Sequence, residues 1–223
     1  MPNTNTVCIF NKKYRLFDIS VSLGSEHTDY PGDPEFKRDI IAGSPDSGFE
    51  LSALSMSSHC ATHIDFPSHF IKGAKTASDY SAGYFIMPAY VVQATVLPIC
   101  ANQLNQTEIE PGCAVLFKTL CSDNLSSRRR IMENNPYFTL DLCRFMADSK
   151  VKLAGIDYLT PDKSGDRSYP VHKFLLGRDI LLLENIRLDG VEPGKYVLLC
   201  MGLKVTGSEA VPARAVLLKE LSV

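Results

Sequence analysis

The chain has no bias towards one charge. Among its 223 residues, 23 Lys and Arg stand against 25 Asp and Glu, a formal net charge of −2. Nucleic-acid binding needs a basic face. The only basic cluster, Arg128-Arg129-Arg130, reads as a solvated loop between a serine-rich stretch and Asn134-Asn135-Pro136. Glycine-rich phosphate loops of the GxGxxG or Walker type are missing, so a nucleotide site is unsupported. No apolar run approaches membrane-spanning length, and Met1-Pro2-Asn3-Thr4 lacks the basic-then-apolar pattern of a signal peptide. There is no CxxC pair. The seven cysteines, at 8, 60, 100, 113, 121, 143 and 200, are irregularly spaced and lie mostly in apolar runs, such as Cys113 beside Ala114-Val115-Leu116-Phe117. They read as small buried hydrophobes kept reduced. These absences predict a cytoplasmic protein without nucleic-acid or membrane partners. Neither an internal repeat nor a low-complexity linker divides the chain, and the length suits one domain spanning 1–223.

Short apolar runs separated by turns fill the sequence. Pro31-Gly32-Asp33-Pro34, Gly43-Ser44-Pro45-Asp46, Pro111-Gly112, Asp189-Gly190 and Pro193-Gly194 are turn signals. Between them, strands are predicted over Leu16–Val21, Glu50–Met56, Ala89–Val96, Ala114–Lys118, Leu153–Ile156, Ile180–Leu183, Tyr196–Cys200 and Arg214–Leu218. Helices are fewer. Thr139 caps a predicted segment running to about Asp148, and a short helix follows Ser168, with Pro170 in its first turn and Gly177 at its end. Leu104–Glu108 fits either state. Many strands and few helices predict a β-rich α/β domain.

Only five histidines are present, and three fall within eleven residues: His59-Cys60-Ala61-Thr62-His63-Ile64-Asp65-Phe66-Pro67-Ser68-His69. On a helix, His59 and His63 share a face, but Asp65 points away and Pro67 breaks the helix. β-branched Thr62 and Ile64 favour extended chain. On a strand, His59, His63, Asp65 and His69 share one parity, while Cys60, Thr62, Ile64 and Phe66 form a largely apolar opposite face. A straight strand puts His59 roughly 30 Å from His69, so the chain has to bend, and Pro67 offers a place. Two imidazoles and a carboxylate leave an open coordination position, as catalytic zinc sites do. The set contains no thiolate, which suits zinc or manganese. Cys60 is out of phase and reads as core; His27, in Glu26-His27-Thr28-Asp29, reads as an exposed turn.

His59-Cys60-Ala61-Thr62-His63-Ile64-Asp65-Phe66-Pro67-Ser68-His69 resembles the H-x-G-T-H-x-D-x-P-x-H signature of the cyclase family of metal hydrolases, which includes bacterial kynurenine formamidases and isatin hydrolases. Ala61 replaces the family glycine. Weaker similarity follows in order along the chain: Asp18-Ile19-Ser20, Tyr30-Pro31-Gly32-Asp33-Pro34, Leu153-Ala154-Gly155-Ile156-Asp157, His172, Ile180-Leu181-Leu182-Leu183-Glu184-Asn185, and Pro212-Ala213-Arg214-Ala215-Val216. The resemblance implies a swivelling β/β/α fold, a homodimer or homotetramer with site loops near the subunit interface, and one or two zinc or manganese ions per chain. It implies His59, His63 and Asp65 as first-site ligands. Asp65 then bridges to a second ion held also by His172 and Glu184, and His69 is the acid/base group. Aryl-substrate members often carry an aromatic, commonly tryptophan, near the Pro-Gly-Asp turn; this chain has no tryptophan, and Tyr30 or Phe36 would stack on a ring instead. If residue 61 needs a positive φ, alanine is penalised; the alternation predicts an extended, unpenalised Ala61.

The implied reaction is hydrolysis of a carbon–nitrogen amide bond, in an aryl formamide such as N-formylkynurenine or in a cyclic amide. A divalent ion supplies a water acidified towards a pKa of about 7 and stabilises the oxyanion. His69 carries the proton to the leaving group, because imidazole titrates near neutrality. The alternatives are cyclase, lactonase or dehydratase chemistry on the same site, or a non-catalytic small-molecule binding protein.

Overall fold

The structure, a computed structural model, describes residues 4–9, 11–24, 30–43, 48–104, 107–122 and 133–221. His27 and Arg128-Arg129-Arg130 lie outside the described residues. The strands are β1 (Thr4–Ile9), β2 (Lys12–Asp18), β3 (Lys37–Ala42), β4 (Leu51–Ser55), β5 (His63–Asp65), β6 (Ile86–Gln93), β7 (Ala114–Lys118), β8 (Leu153–Ile156), β9 (Leu181–Glu184), β10 (Gly194–Gly202) and β11 (Ala210–Glu220). Among the described residues the α-helices are α1 (Leu140–Asp148) and α2 (Pro170–Leu176), and several single 3-10 turns precede them.

The main sheet runs β1-β2-β11-β10-β6-β7-β8-β9-β5, and β5 also pairs with β11. That last pairing closes seven strands into a mixed barrel, with β2 and β1 continuing outward from β11. β6 to β9 are parallel, and the other pairs are antiparallel. β3 and β4 form a separate two-stranded sheet. The expected β-rich α/β class is therefore observed.

The parallel strands are buried on both faces, which is why they read as unbroken apolar runs. Leu116, Leu153, Leu181 and Leu183 point into the barrel core with Ile64, Phe66 and Leu198. Their neighbours Val115, Phe117, Ala154, Ile156 and Leu182 form a second core beneath Leu142, Cys143 and Met146 of α1 and Val171, Leu175 and Leu176 of α2. The antiparallel β10 alternates instead, with Tyr196, Leu198 and Cys200 inside and Val197 and Met201 exposed. Closure at β5 needs close approach: a Cβ on Gly202 would lie 2.5 Å from Val211 Cγ2 and 3.7 Å from Ile64 Cδ1.

α1 begins after Thr139, as expected, but the Thr139 hydroxyl does not cap it. It donates to the Ile99 carbonyl at 3.1 Å and ties the helix start to a neighbouring loop. The region of Leu104–Glu108 opens with a 3-10 turn, Ala101–Leu104; residues 105 and 106 lie outside the described set. Strand β2 starts and ends earlier than the apolar pattern indicates. The chain beyond it stays extended, however: Ile19 N–H donates to Ala215 O at 3.0 Å and Val21 N–H to Thr62 Oγ1 at 2.9 Å. Among the described residues, no helix is long and apolar enough to cross a membrane.

Candidate metal centre

β5 lies between β9 and β11, and its side chains alternate in and out of the barrel. Ile64 fills the core. His63 and Asp65 point the other way, and His63 pairs directly with Glu184 of β9. α2 crosses this outer face and brings His172, in its first turn, against both carboxylates. His172 Nε2 is 3.1 Å from Glu184 Oε1 and 3.4 Å from Asp65 Oδ2. His63 Nε2 is 3.3 Å from Asp65 Oδ1 and 3.5 Å from Glu184 Oε2. His59 Nδ1 reaches Asp65 Oδ1 at 2.9 Å. All of the sequence-predicted ligands therefore meet at one place.

The expectation of a long alternating strand is corrected here. Only residues 63–65 are strand; His59 sits in a turn, and His69 ends a 3-10 turn over Pro67–His69. Shared parity does not bring the histidines together. Two bends do, one at Pro67 as expected and one at Ala61. Ala61 has φ +55°, in the left-handed region, so the expectation that it is extended is overturned. The reason is geometric: His59 has to fold back over β5 to reach Asp65. In this conformation the Ala61 carbonyl accepts a 2.9 Å hydrogen bond from His63 Nδ1. A carbonyl only accepts, so a proton is on Nδ1 and Nε2 is the nitrogen that faces the carboxylates.

His63 Nε2, both oxygens of Asp65 and Glu184 Oε1 are buried and lack a hydrogen-bond partner. The 2.9 Å contact from His59 to Asp65 is close but off hydrogen-bond geometry. Buried carboxylate oxygens that lack hydrogen-bond donors are costly, by several kcal/mol each even after relaxation. One or two divalent cations would give these atoms a partner, and the nitrogen and oxygen donor set suits a borderline or hard ion. The residues fit a metal.

Without an ion, protons supply the positive charge. Burial opposes protonation of His63, yet Asp65 and Glu184 outweigh it and push its pKa up to about 10. Burial is likewise overcome at His59, chiefly by Asp65, and at His172 by Asp162, Asp65 and Glu184; both are raised. Asp65 is held well below the usual carboxylate range by His59 and His63, against the effect of burial. His69 differs: burial dominates and lowers its pKa. Its ring lies tilted against His59 and edge-on to Phe70, with centroids 4.3 Å from each.

Above the cluster lies a cavity of about 350 Å³. Tyr30 lines it, as expected, together with Phe70 and Tyr169. Phe36 does not; its ring packs on Gly24, where an added Cβ would lie 3.1 Å from Phe36 Cε1. Asp33 still lines the cavity, so the chain leaves it between Asp33 and Phe36. Sequence reasoning missed Tyr169, Phe70, Asp162 and Glu209. Tyr169 and Phe70 are near neighbours of His172 and His69, which was the available signal. Glu209, 3.6 Å from His59 Nε2, comes from the β10–β11 connection and leaves no local mark. Cys60 is fully buried, as expected of core, and Asp157 is buried as a brace, accepting from Thr119 N at 2.8 Å and Thr119 Oγ1 at 2.7 Å.

A family model described as "Putative cyclase" matches residues 17–163. The chain belongs to the cyclase family. A kynurenine formamidase of Salinibacter ruber is 32% identical over 209 residues, covering 91% of this chain and 96% of its own length. A kynurenine formamidase of Bacillus cytotoxicus is 29% identical over 208 residues, 92% of this chain and 98% of its own. Among solved structures, one described as a potential metal-dependent hydrolase with cyclase activity superposes with a TM-score of 0.80 at 25% identity, covering 94% of this chain and 100% of that one. Family membership agrees with the gathering of the signature's histidines around Asp65 of β5.

Proposed function

We propose that this chain is a metal-dependent amidohydrolase that cleaves the carbon–nitrogen bond of an aryl formamide, such as N-formylkynurenine, or of a cyclic amide. The observation that carries this reading is the convergence of four buried, unpartnered donor atoms of His63, Asp65 and Glu184 beneath an aromatic-lined cavity. Relatives described as kynurenine formamidases support the substrate class.

His59, His63, Asp65, His172 and Glu184 would hold one or two zinc or manganese ions; Asp65 turns Oδ1 to His59 and His63 and Oδ2 to His172. When bound, the metal supplies an acidified water and an electrophile for the substrate carbonyl. The chain's own groups do the rest. Tyr30, Phe70 and Tyr169 receive the ring. His69, kept neutral by burial, accepts a proton from the attacking water and delivers it to the leaving nitrogen. Catalysis of this kind is worth about 10²–10⁴-fold, so His69→Ala is expected to lose that much kcat while its metal content stays at the wild-type level.

One observation favours a second role for His69: its ligand atom and those of His59 and Asp65 all lie within 4.8 Å of one another. Loss of a metal equivalent in His69→Ala would make His69 a ligand rather than the acid/base group. The reaction itself is tested with a panel of N-formylkynurenine, isatin and a simple lactone, before and after chelation and metal return. Turnover of the formamide or cyclic amide that vanishes on chelation and returns with zinc or manganese supports the reading; turnover of the lactone alone favours the lactonase alternative; no turnover favours a binding protein.

A cytoplasmic homodimer or homotetramer completes the proposal. The exposed Ile40, Ile41, Leu51 and Leu54 of the β3–β4 sheet support an interface there, and light scattering on the purified chain tests it. Seven free cysteines suit a reducing compartment.

A further inference from the structure

An imidazole has two nitrogens, and only one of them can face the carboxylates. What the other nitrogen meets decides which one carries the lone pair. For His172 the other nitrogen meets Asp162. This aspartate is 2% exposed and comes from the loop after β8. Its Oδ1 accepts the Val171 backbone N–H at 2.9 Å, and its Oδ2 accepts the His172 backbone N–H at 3.3 Å and the His172 Nδ1–H. One carboxylate thus fixes both the backbone and the ring of the same residue.

The helix explains the need. α2 starts after Tyr169, which is in a left-handed conformation (φ 48°) and has no capping side chain. Ser168 turns its hydroxyl to Asp166 Oδ1 at 2.6 Å. The orphan N–H groups of the first turn therefore require an acceptor from elsewhere. Asp162 is itself braced: its carbonyl accepts from Asn135 Nδ2 at 2.8 Å, and Asn135 Oδ1 accepts from Ser164 N at 2.7 Å.

We propose that Asp162 is a positioning residue for the metal centre, holding His172 with its proton on Nδ1 and its Nε2 lone pair directed at Asp65 and Glu184. The inference rests on the metal-hydrolase reading. It is separable from helix capping, because capping needs only an acceptor oxygen. In Asp162→Asn the amide oxygen still caps Val171, but the NH₂ group faces both His172 Nδ1 and the His172 backbone N–H, so the longer of the two cap bonds is lost as well. The ring is then driven to the opposite tautomer, with Nε2 protonated and unable to ligate.

The test is zinc affinity of the full chain by competition with a chromophoric chelator, for wild type and Asp162→Asn, with the thermal midpoint of the metal-free proteins alongside. The second measurement is ¹⁵N-histidine NMR on zinc-loaded wild type, with the His172 signal assigned by its absence in His172→Gln. The expected result is zinc bound about 10–100-fold more weakly by Asp162→Asn, a metal-free midpoint lowered only by the loss of one long cap bond, and a wild-type His172 that keeps a proton on Nδ1 while Nε2 carries the metal shift. Equal zinc affinity in a folded variant overturns the positioning role and leaves the metal reading standing. A wild type that binds neither zinc nor manganese overturns both. Should Asp162→Asn not fold, the wild-type NMR decides alone: metal on Nδ1, or no proton there, overturns the proposal.

Discussion

At the residue scale, the most informative position is Ala61. The histidine signature was legible because its side chains are chemically distinctive, and His59, His63, Asp65 and His69 do gather at one site. The conformation of Ala61 was not legible: alternation argued for extended backbone, whereas the structure has φ +55°. Side-chain parity reports on a strand only where a strand exists, and here it lasts three residues. A left-handed non-glycine residue costs about 1–2 kcal/mol, while glycine adds about 0.4–1 kcal/mol of unfolded-state entropy. Ala61→Gly is therefore expected to raise stability by up to about 1 kcal/mol with metal affinity retained, as read by thermal unfolding and zinc titration. A loss of stability would mean that the Ala61 methyl group packs favourably enough to outweigh the strain.

At the scale of elements, two of the strands buried on both faces, Ala114–Lys118 and Leu153–Ile156, were read to the residue, whereas β9 begins one residue and β6 three residues away from the expected start. β1 and β3 escaped notice. β3 is Lys37-Arg38-Asp39-Ile40-Ile41-Ala42, exposed along most of its length, so no alternation marks it. Capping was only half legible: the start of α1 was right, but the Thr139 hydroxyl serves Ile99, and the cap of α2 comes from Asp162. The element that matters most for the site is the junction of β5 with β9. Thr62 Oγ1 donates to Asn185 O at 2.7 Å and accepts from Val21 N at 2.9 Å, all buried. Thr62→Val keeps the volume and loses both bonds. The cost expected is about 1–3 kcal/mol, with weaker metal binding because His63 and Glu184 are the paired residues beside it. Chemical denaturation and zinc titration on the same variant check both parts, and unchanged stability would contradict the brace.

At the scale of the whole molecule, barrel closure was hidden. β5 and β11 lie far apart in sequence, and neither carries a local signal of the other. Closure places buried carboxylates beside the histidines, and this couples folding to protons and metal. In the metal-free protein, raised His63, His59 and His172 contribute stability that is full below the unfolded histidine pKa of about 6.5 and is lost as pH rises, through about 10 for His63. Asp65, depressed in the fold, contributes stability that is full above about pH 4 and is lost as pH falls towards its folded value. His69, lowered by burial, has the opposite sign to the other histidines. Three raised groups against one lowered group predict a metal-free melting midpoint that falls from about pH 6.5 to 9. Bound metal replaces those protons, so excess zinc is expected to remove the fall. A flat metal-free profile would contradict the charge balance.

The most direct measurement of the central claim is metal content per chain by elemental analysis, on wild type and on His63→Ala purified without added metal. One or two equivalents of zinc or manganese in the wild type, lost in the variant, is the predicted result. A wild type that is metal-free and cannot be reloaded with either ion would contradict it.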